Sequence, residues 1–336
     1  MSSTTSTATR TVTPRRAALS AFTGAWASQI GITVAFLVLW LAFLVFAPRT
    51  FLDTPIYLSF AQTTPYFALI AMPLTMVIIA GDIDLSFPAT MALGMVGFVT
   101  VWQATGSVEL GVAATLAVGA LAGLFNGLVI TFIGIPSLVV TIGTLFLFRG
   151  LTLVLVGGRS FPLVATQGAP VYDLLVGKFF GIPMEFFWLL LFTAATWLLL
   201  NRHRLGQNGY VVGDNRLAAN LMGIPIRWTR ITLFVLVGVA AAFAGLLNSL
   251  QVVNFYPTMG DGYLLPALAA VFIGGTSVFG GRGTVYGTFL GAFMMGGITA
   301  GIVAAGLTDY YTNFVYGAVI LISVSIHALL RRRFEY

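Results

Sequence analysis

Runs of about 20 apolar residues, cut by short polar breaks, repeat along this chain from residue 27 to residue 330. Each run is long enough to cross a hydrocarbon core of ~30 Å as a helix. The breaks and turn residues divide the chain into ten expected spans: 27–47, 60–80, 87–105, 110–133, 137–156, 186–201, 230–250, 263–280, 284–306 and 312–330. The short period of a membrane barrel strand is missing, and an open sheet would leave unpaired backbone groups in lipid. The expected fold is therefore an all-α polytopic membrane protein. Pro65, Pro73, Pro136, Pro257 and Pro266 interrupt or bound these runs. They predict broken helices whose freed backbone groups face a cavity or another helix. Small residues spaced four apart, Gly119 with Gly123 and Gly287 with Gly291, predict close helix contacts.

Composition sharpens this picture. The chain is 58% hydrophobic and 8% charged, with a mean hydropathy of +0.98, against ~25% charged residues in a soluble domain. Residues 1–26 are Ser/Thr-rich with Arg10, Arg15 and Arg16, and read as a disordered tail; 27–336 is expected to be one transmembrane domain. The run after the tail is too long for a signal-peptide core of ~7–15 residues, so it reads as an uncleaved first span. With the N-terminus inside, only Arg49, Arg149, Arg159 and Lys178 of the 16 basic residues fall outside or at an outer helix end. That bias is expected of a chain with both termini in the cytoplasm. Two longer polar segments remain, 157–185 outside and 202–229 inside.

The chemistry excluded is as informative. Cysteine is absent, so thiolate chemistry and Cys-based metal sites are too. His203, between Arg202 and Arg204, reads as a solvated loop residue, far in sequence from His327. A phosphate-binding P-loop needs a lysine in G-x-x-x-x-G-K-[ST], and the single lysine, Lys178, precedes Phe179 in the outer loop. No nucleophile–base pairing or metal-ligand spacing stands out, so the chain is expected to be no enzyme and to carry no cofactor of its own. Its 10 carboxylates lie mostly near span ends or in loops, which provides poorly for an ion-coupled secondary sugar transporter, the alternative reading. An outside motor is the better expectation.

The inner segment 202–229 carries a short helix signature. Asp214 or Asn215 caps it, Arg216–Met222 forms two turns, Gly223 suits a left-handed end and Pro225 stops continuation. A helix this short needs something to pack on, either its own chain or a partner's cleft. Here Gly213-x-Asn215-x-x-Ala218-Ala219-x-x-x-Gly223-Ile224 resembles the coupling-loop motif of the sugar-type ABC transporter permeases, the ribose and related monosaccharide importers. Three further stretches are similar to that family in order: GDIDLS (81–86), Asn126-Gly127 followed by IPSLVVTIGTLFLFRGL (135–151), and LPALAAVFIGGTSVFGGRGTVYGTFLGA (265–292).

That resemblance implies a permease subunit forming the pathway for a monosaccharide or similar small polar solute. It implies a second permease chain, identical or related, ABC ATPase subunits that hold ATP and magnesium, and a periplasmic sugar-binding protein. Gly213, Asn215, Ala218, Ala219 and Gly223 would contact the ATPase. The carboxylates of GDIDLS are expected at the inner interface, with Ser86 or Asp84 capping the third span and Pro88 in its first turn. Gly81, Asp84 and Ser86 then fix a broken-helix turn beside the inner gate. Asp82 stands where the family usually has Gly and is expected to be peripheral. Gly274, Gly275, Thr276 and Ser277 line an inner constriction or serve tight packing. Asn126, Thr141, Thr144, Asn248 and Gln251 are pathway candidates for hydrogen bonding, with Phe148 and Tyr256 for ring contact, or they are interhelical contacts.

Overall fold

The computed structural model describes residues 14–307 and 309–334; the first half of the expected tail, residues 1–13, lies outside the described residues. The chain is almost wholly helical. Helix α1 spans Pro14–Phe46, so it begins within the segment expected as tail. A short α2 (Pro48–Phe51) leads into α3 (Thr54–Thr63) and α4 (Pro65–Ile79). These two are one apolar run bent by 51°. Pro65 stands at the first position of α4, where its missing N–H costs nothing and its ring disfavours continuation from α3. Next come α5 (Phe87–Thr105), α6 (Val108–Leu128) with a π-turn over Val129–Ile133, and α7 (Ser137–Val156).

The segment 157–185 folds compactly. It holds β1 (Phe161–Pro162), α8 (Pro170–Val176) and the hairpin of β2 (Lys178–Phe179) with β3 (Ile182–Pro183). Then follow α9 (Met184–Arg202), α10 (Arg204–Asp214), α11 (Arg216–Leu221) and α12 (Ile226–Gln251). After α12, β4 (Asn254–Phe255) pairs antiparallel with β1. The chain ends with α13 (Leu264–Ile273), α14 (Val285–Ala304) and α15 (Asp309–Phe334).

Among the described residues seven helices are long and apolar enough to cross a membrane, and eight if the bent α3–α4 pair counts as one span. This count does not confirm the ten expected spans. The run 263–280 is helical only over the ten residues of α13, about 15 Å of rise. Positive φ at Gly275, Gly280 and Gly281 ends the helix and turns the chain. The run 312–330 lies within α15.

Helix α4 forms the centre, with every residue buried, and α12 crosses beside it. The expected glycine contacts are real. A Cβ on Gly123 would lie 2.3 Å from the Phe234 carbonyl oxygen, and one on Gly291 would lie 2.2 Å from that of Ala270. So α6 approaches α12, and α14 approaches α13, backbone to backbone, which raises dispersion contact where lipid offers no hydrophobic drive. Outward-facing apolar side chains on α1, α6, α7 and α9, such as Leu41, Phe132, Phe146 and Leu191, are exposed, as suits a surface solvated by lipid.

A capped helix joined to a buried connector

Three of the sequence signals for α11, its cap, its turns and its left-handed glycine, are realised within ten residues. The Asn215 side-chain oxygen accepts from the Ala218 N–H at 3.0 Å, satisfying one of the free donors at the helix start. At the other end Gly223 takes φ +72°, the Ile224 N–H reaches the Ala219 carbonyl and the Gly223 N–H that of Asn220. This paired arrangement satisfies the last carbonyls. Ala219 is fully buried, while Leu217, Leu221 and Met222 are 71%, 82% and 70% exposed. The short helix thus stands on its alanine side and turns its large apolar side chains away from the chain. Asn215→Ala should lower stability by about 1 kcal/mol and Asn215→Gly by only a few tenths, read as a smaller shift in thermal midpoint for the glycine variant. His203 is exposed between α9 and α10, as expected, and its Nδ1 accepts the Leu205 N–H at 3.1 Å, capping α10.

Behind α10 and α11 three loops meet. The Gly281 N–H donates to the Ile79 carbonyl at 2.8 Å. Gly213 lies so close that a Cβ there would be 1.7 Å from the same oxygen. Gly81 takes φ +77° directly after α4, and Arg216 donates to its carbonyl at 3.1 Å. Tyr210 on α10 donates to the Gly283 carbonyl at 2.7 Å, and burial pushes its phenol pKa up. The coupling-type segment, the GDIDLS stretch and the glycine-rich turn after α13 therefore share one backbone junction.

Asp82 is not peripheral. It is 3% exposed, and its carboxylate accepts from Arg230 Nε at 2.5 Å and Nη2 at 2.7 Å, and from Arg216 Nη2 at 3.1 Å. A buried carboxylate persists only when paired and hydrogen-bonded, and two arginines supply that here. The next residues form a buried non-helical connector, 82–86, between α4 and α5. Asp84 does not cap α5. Its Oδ1 accepts from the Ser86 N–H at 2.8 Å and the Ser86 hydroxyl at 2.7 Å, closing a local turn. Ser86 is the residue at the helix start, but its side chain makes no capping bond. Its hydroxyl oxygen instead accepts from Asn126 Nδ2 at 2.7 Å, giving a chain Asn126–Ser86–Asp84. Ser137 Oγ accepts the Ile83 N–H at 3.1 Å, and Thr141 Oγ1 reaches the Ile83 carbonyl at 3.3 Å. Polar side chains of α7 thus satisfy the connector's backbone, as irregular chain within a membrane protein requires, while Asn126 of α6 holds the Ser86 hydroxyl.

The residues at 274–277 complete the turn after α13. Gly274 packs against Gly287 and Thr288, Thr276 is fully buried, and the Ser277 N–H donates to the Arg282 carbonyl at 2.9 Å. The expected pathway residues divide into two groups. Asn126, Thr141, Thr144 and Phe148 are buried around the connector and the α6–α7 contact. At the other end of α12, Asn248 donates to the Tyr263 hydroxyl at 2.7 Å, and Gln251 is half-buried. Neither these six nor the exposed Tyr256 lines the cavity of about 530 Å³ between α3–α4 and α14–α15, whose walls include Tyr66, Tyr263, Tyr316, Thr63 and Thr299.

Two features escaped the sequence reading. Glu185 is fully buried and accepts from the Tyr66 hydroxyl at 3.4 Å. Arg149, placed only at an outer helix end by charge counting, donates to the carbonyls of Pro257 and Met259 and to Asp261, clasping the loop after α12. A mid-run arginine between apolar residues was the available signal.

These features define a multi-pass all-α membrane protein with an exposed, capped helix wired to its buried interior. A protein-family model described as "Branched-chain amino acid transport system / permease component" matches residues 56–324. The autoinducer 2 import system permease protein LsrD of Salmonella paratyphi A is 32% identical over 301 residues, covering 85% of this chain and 89% of that protein. The ribose import permease protein RbsC of Escherichia coli K12 is 31% identical over 319 residues, covering 95% of this chain and 98% of that protein. No solved structure matches. The chain belongs to this family of transport permease components, whose ABC importers work with ATPase and binding-protein partners.

Proposed function

We propose that this chain is the inner-membrane permease subunit of a binding-protein-dependent ABC importer for a monosaccharide or similar small polar solute. The observation that carries the coupling part is the exposed apolar side of α11, backed by the junction of Gly213, Ile79 and Gly281. A two-turn helix that shows Leu217, Leu221 and Met222 to solvent offers a cleft in a partner ATPase an apolar anchor. Gly213, Asn215, Ala218, Ala219 and Gly223 build and orient that anchor. Both termini lie on the same, cytoplasmic side in this reading, consistent with the basic residues gathered around α10–α11.

ATP and magnesium belong to the partner ATPase. When two ATPase subunits close, α11 moves with them. The backbone junction then passes that movement to Gly81, Asp84 and Ser86 and to the 274–277 turn, which border the pathway from its inner end. Two copies of this chain, or this chain and a relative, enclose the pathway, and a periplasmic binding protein delivers the solute. A neutral polar cargo is favoured because the interior arginines Arg230 and Arg149 are engaged with protein partners, leaving neither to meet a cargo carboxylate. An amino acid, the cargo in the family's description, would need charged partners for its carboxylate and ammonium. The relative named for ribose supports the neutral cargo.

Reconstitution tests this directly. Proteoliposomes containing the chain, its ATPase partner and internal ATP are expected to import labelled ribose or a related sugar only when binding protein is present. Leu217→Glu with Leu221→Glu alters two exposed positions and should abolish uptake while the chain stays folded. Uptake that follows a sodium or proton gradient and ignores the ATPase would overturn the proposal.

A further inference from the structure

Resting on the coupling role given to α11, we propose that Asp82 is a positioning residue. It locks α12 to the connector through Arg230 and holds α11 to that lock through Arg216. ATPase-driven movement of α11 therefore reaches the buried connector through this carboxylate. The two arginines are bound unequally. Arg230, 11% exposed, meets both carboxylate oxygens with Nε and Nη2. That forked geometry fixes orientation as well as charge. Arg216, 48% exposed, shares a single oxygen of the same carboxylate through Nη2, and the same nitrogen donates to the Gly81 carbonyl.

One carboxylate thus serves two cations, one held rigidly inside and one reaching in from a helix at the surface. A simple staple would need only the first. The second arm is wet, mutually repelled by Arg230 and held by one nitrogen, so it can be drawn away without dismantling the buried pair. It lies at the first residue of α11, next to the Asn215 cap, so displacement of that helix pulls first on Arg216. Its other end is at Gly81 and Asp82, two residues before the Asp84–Ser86–Asn126 chain. No other polar side chain of α11 bonds to the connector among the described residues.

The test compares solute imported per ATP hydrolysed, in proteoliposomes with ATPase and binding protein, for wild type, Arg216→Gln, Arg216→Lys, Asp82→Asn and the Asp82→Asn/Arg216→Gln double variant. Wild type must first show ATP-dependent uptake; if it does not, the importer reading itself fails. Given that uptake, Arg216→Gln should lower the ratio at least five-fold with an unchanged thermal midpoint, and Arg216→Lys should restore more than half of it. The double variant should be no worse than Asp82→Asn alone, because both remove the same contact. Should Asp82→Asn fail to fold because it disturbs Arg230, the Arg216 pair of variants still decides. A wild-type ratio in Arg216→Gln, or losses that multiply in the double variant, would overturn the proposal.

Discussion

Gly213→Ala is expected to leave almost no folded protein, whereas Gly143→Ala should be tolerated. At Gly213 the added methyl would sit 1.7 Å from the Ile79 carbonyl oxygen and 2.8 Å from the Gly281 nitrogen. Both obstacles are backbone, so no rotamer change relieves them. The junction has to open, and the bond from the Gly281 N–H to the Ile79 carbonyl is lost with it. Overpacking costs about 1–3 kcal/mol, and an orphaned buried backbone group about as much again. Together these approach the net stability of many domains, about 5–15 kcal/mol. On α7, by contrast, a Cβ at Gly143 has nothing within 4 Å. The readout is the thermal midpoint and monodisperse yield in detergent. Equal behaviour of the two variants would mean that α10 does not dock on the end of α4.

Both glycines lie in stretches that resemble family motifs, and nothing in their sequence context separates them. That marks the boundary of what could be read from residues alone. The α11 helix was legible because its cap, its two turns and its left-handed glycine all act within ten residues. The small-residue contacts were legible as spacing, though not their partners, because Gly123 finds Phe234 only once α6 and α12 are packed. Asp82 was illegible because Arg230 lies 148 residues away in the chain. Charge counting saw an isolated carboxylate where the fold supplies two arginines.

The misreadings at Asp84 and at 263–280 have conformational causes. Ser86 enters α5 already in the helical region, φ −83° and ψ −14°. A capping side chain reaches the free N–H groups from an extended conformation, which this backbone does not adopt. Asp84 turns back on Ser86 instead. Hydropathy likewise counts Gly274, Gly275, Gly280 and Gly281 as compatible with a span, since it does not register φ. Three of these four adopt the left-handed region, so a continuous helix was never available there. The pathway candidates fall in two groups, and amides and hydroxyls in apolar runs also satisfy irregular backbone, as Ser137 and Thr141 do for Ile83.

Arg149→Met should abolish transport and strongly destabilise the loop after α12, while Asp261→Asn should do neither. The two residues form one ion pair, yet their surroundings differ: the Arg149 side chain is 14% exposed and that of Asp261 60%. Charge pairing on the exposed side contributes at most about 1 kcal/mol. The remaining work of the guanidinium is carried by carbonyls: Pro257, Met259, with 3.0 Å bonds from both terminal nitrogens, and Pro88 at 3.5 Å. Those groups hold the loop against the start of α5, where a Cβ on Gly260 would come within 2.3 Å of the Pro88 oxygen. Methionine matches the arginine stem but takes these donors from the Pro257 and Met259 carbonyls, at about 1–3 kcal/mol for each one that stays buried. Arg149→Lys should fall between, because an ammonium lacks the planar fork that serves several acceptors at once. Hydrogen exchange across residues 256–263, alongside uptake, checks the order. Equal damage from Asp261→Asn and Arg149→Met would assign the clasp to charge rather than to the carbonyls. The observed geometry predicts the reverse, with the loop held down through its backbone and Asp261 serving only to steady the outer nitrogen.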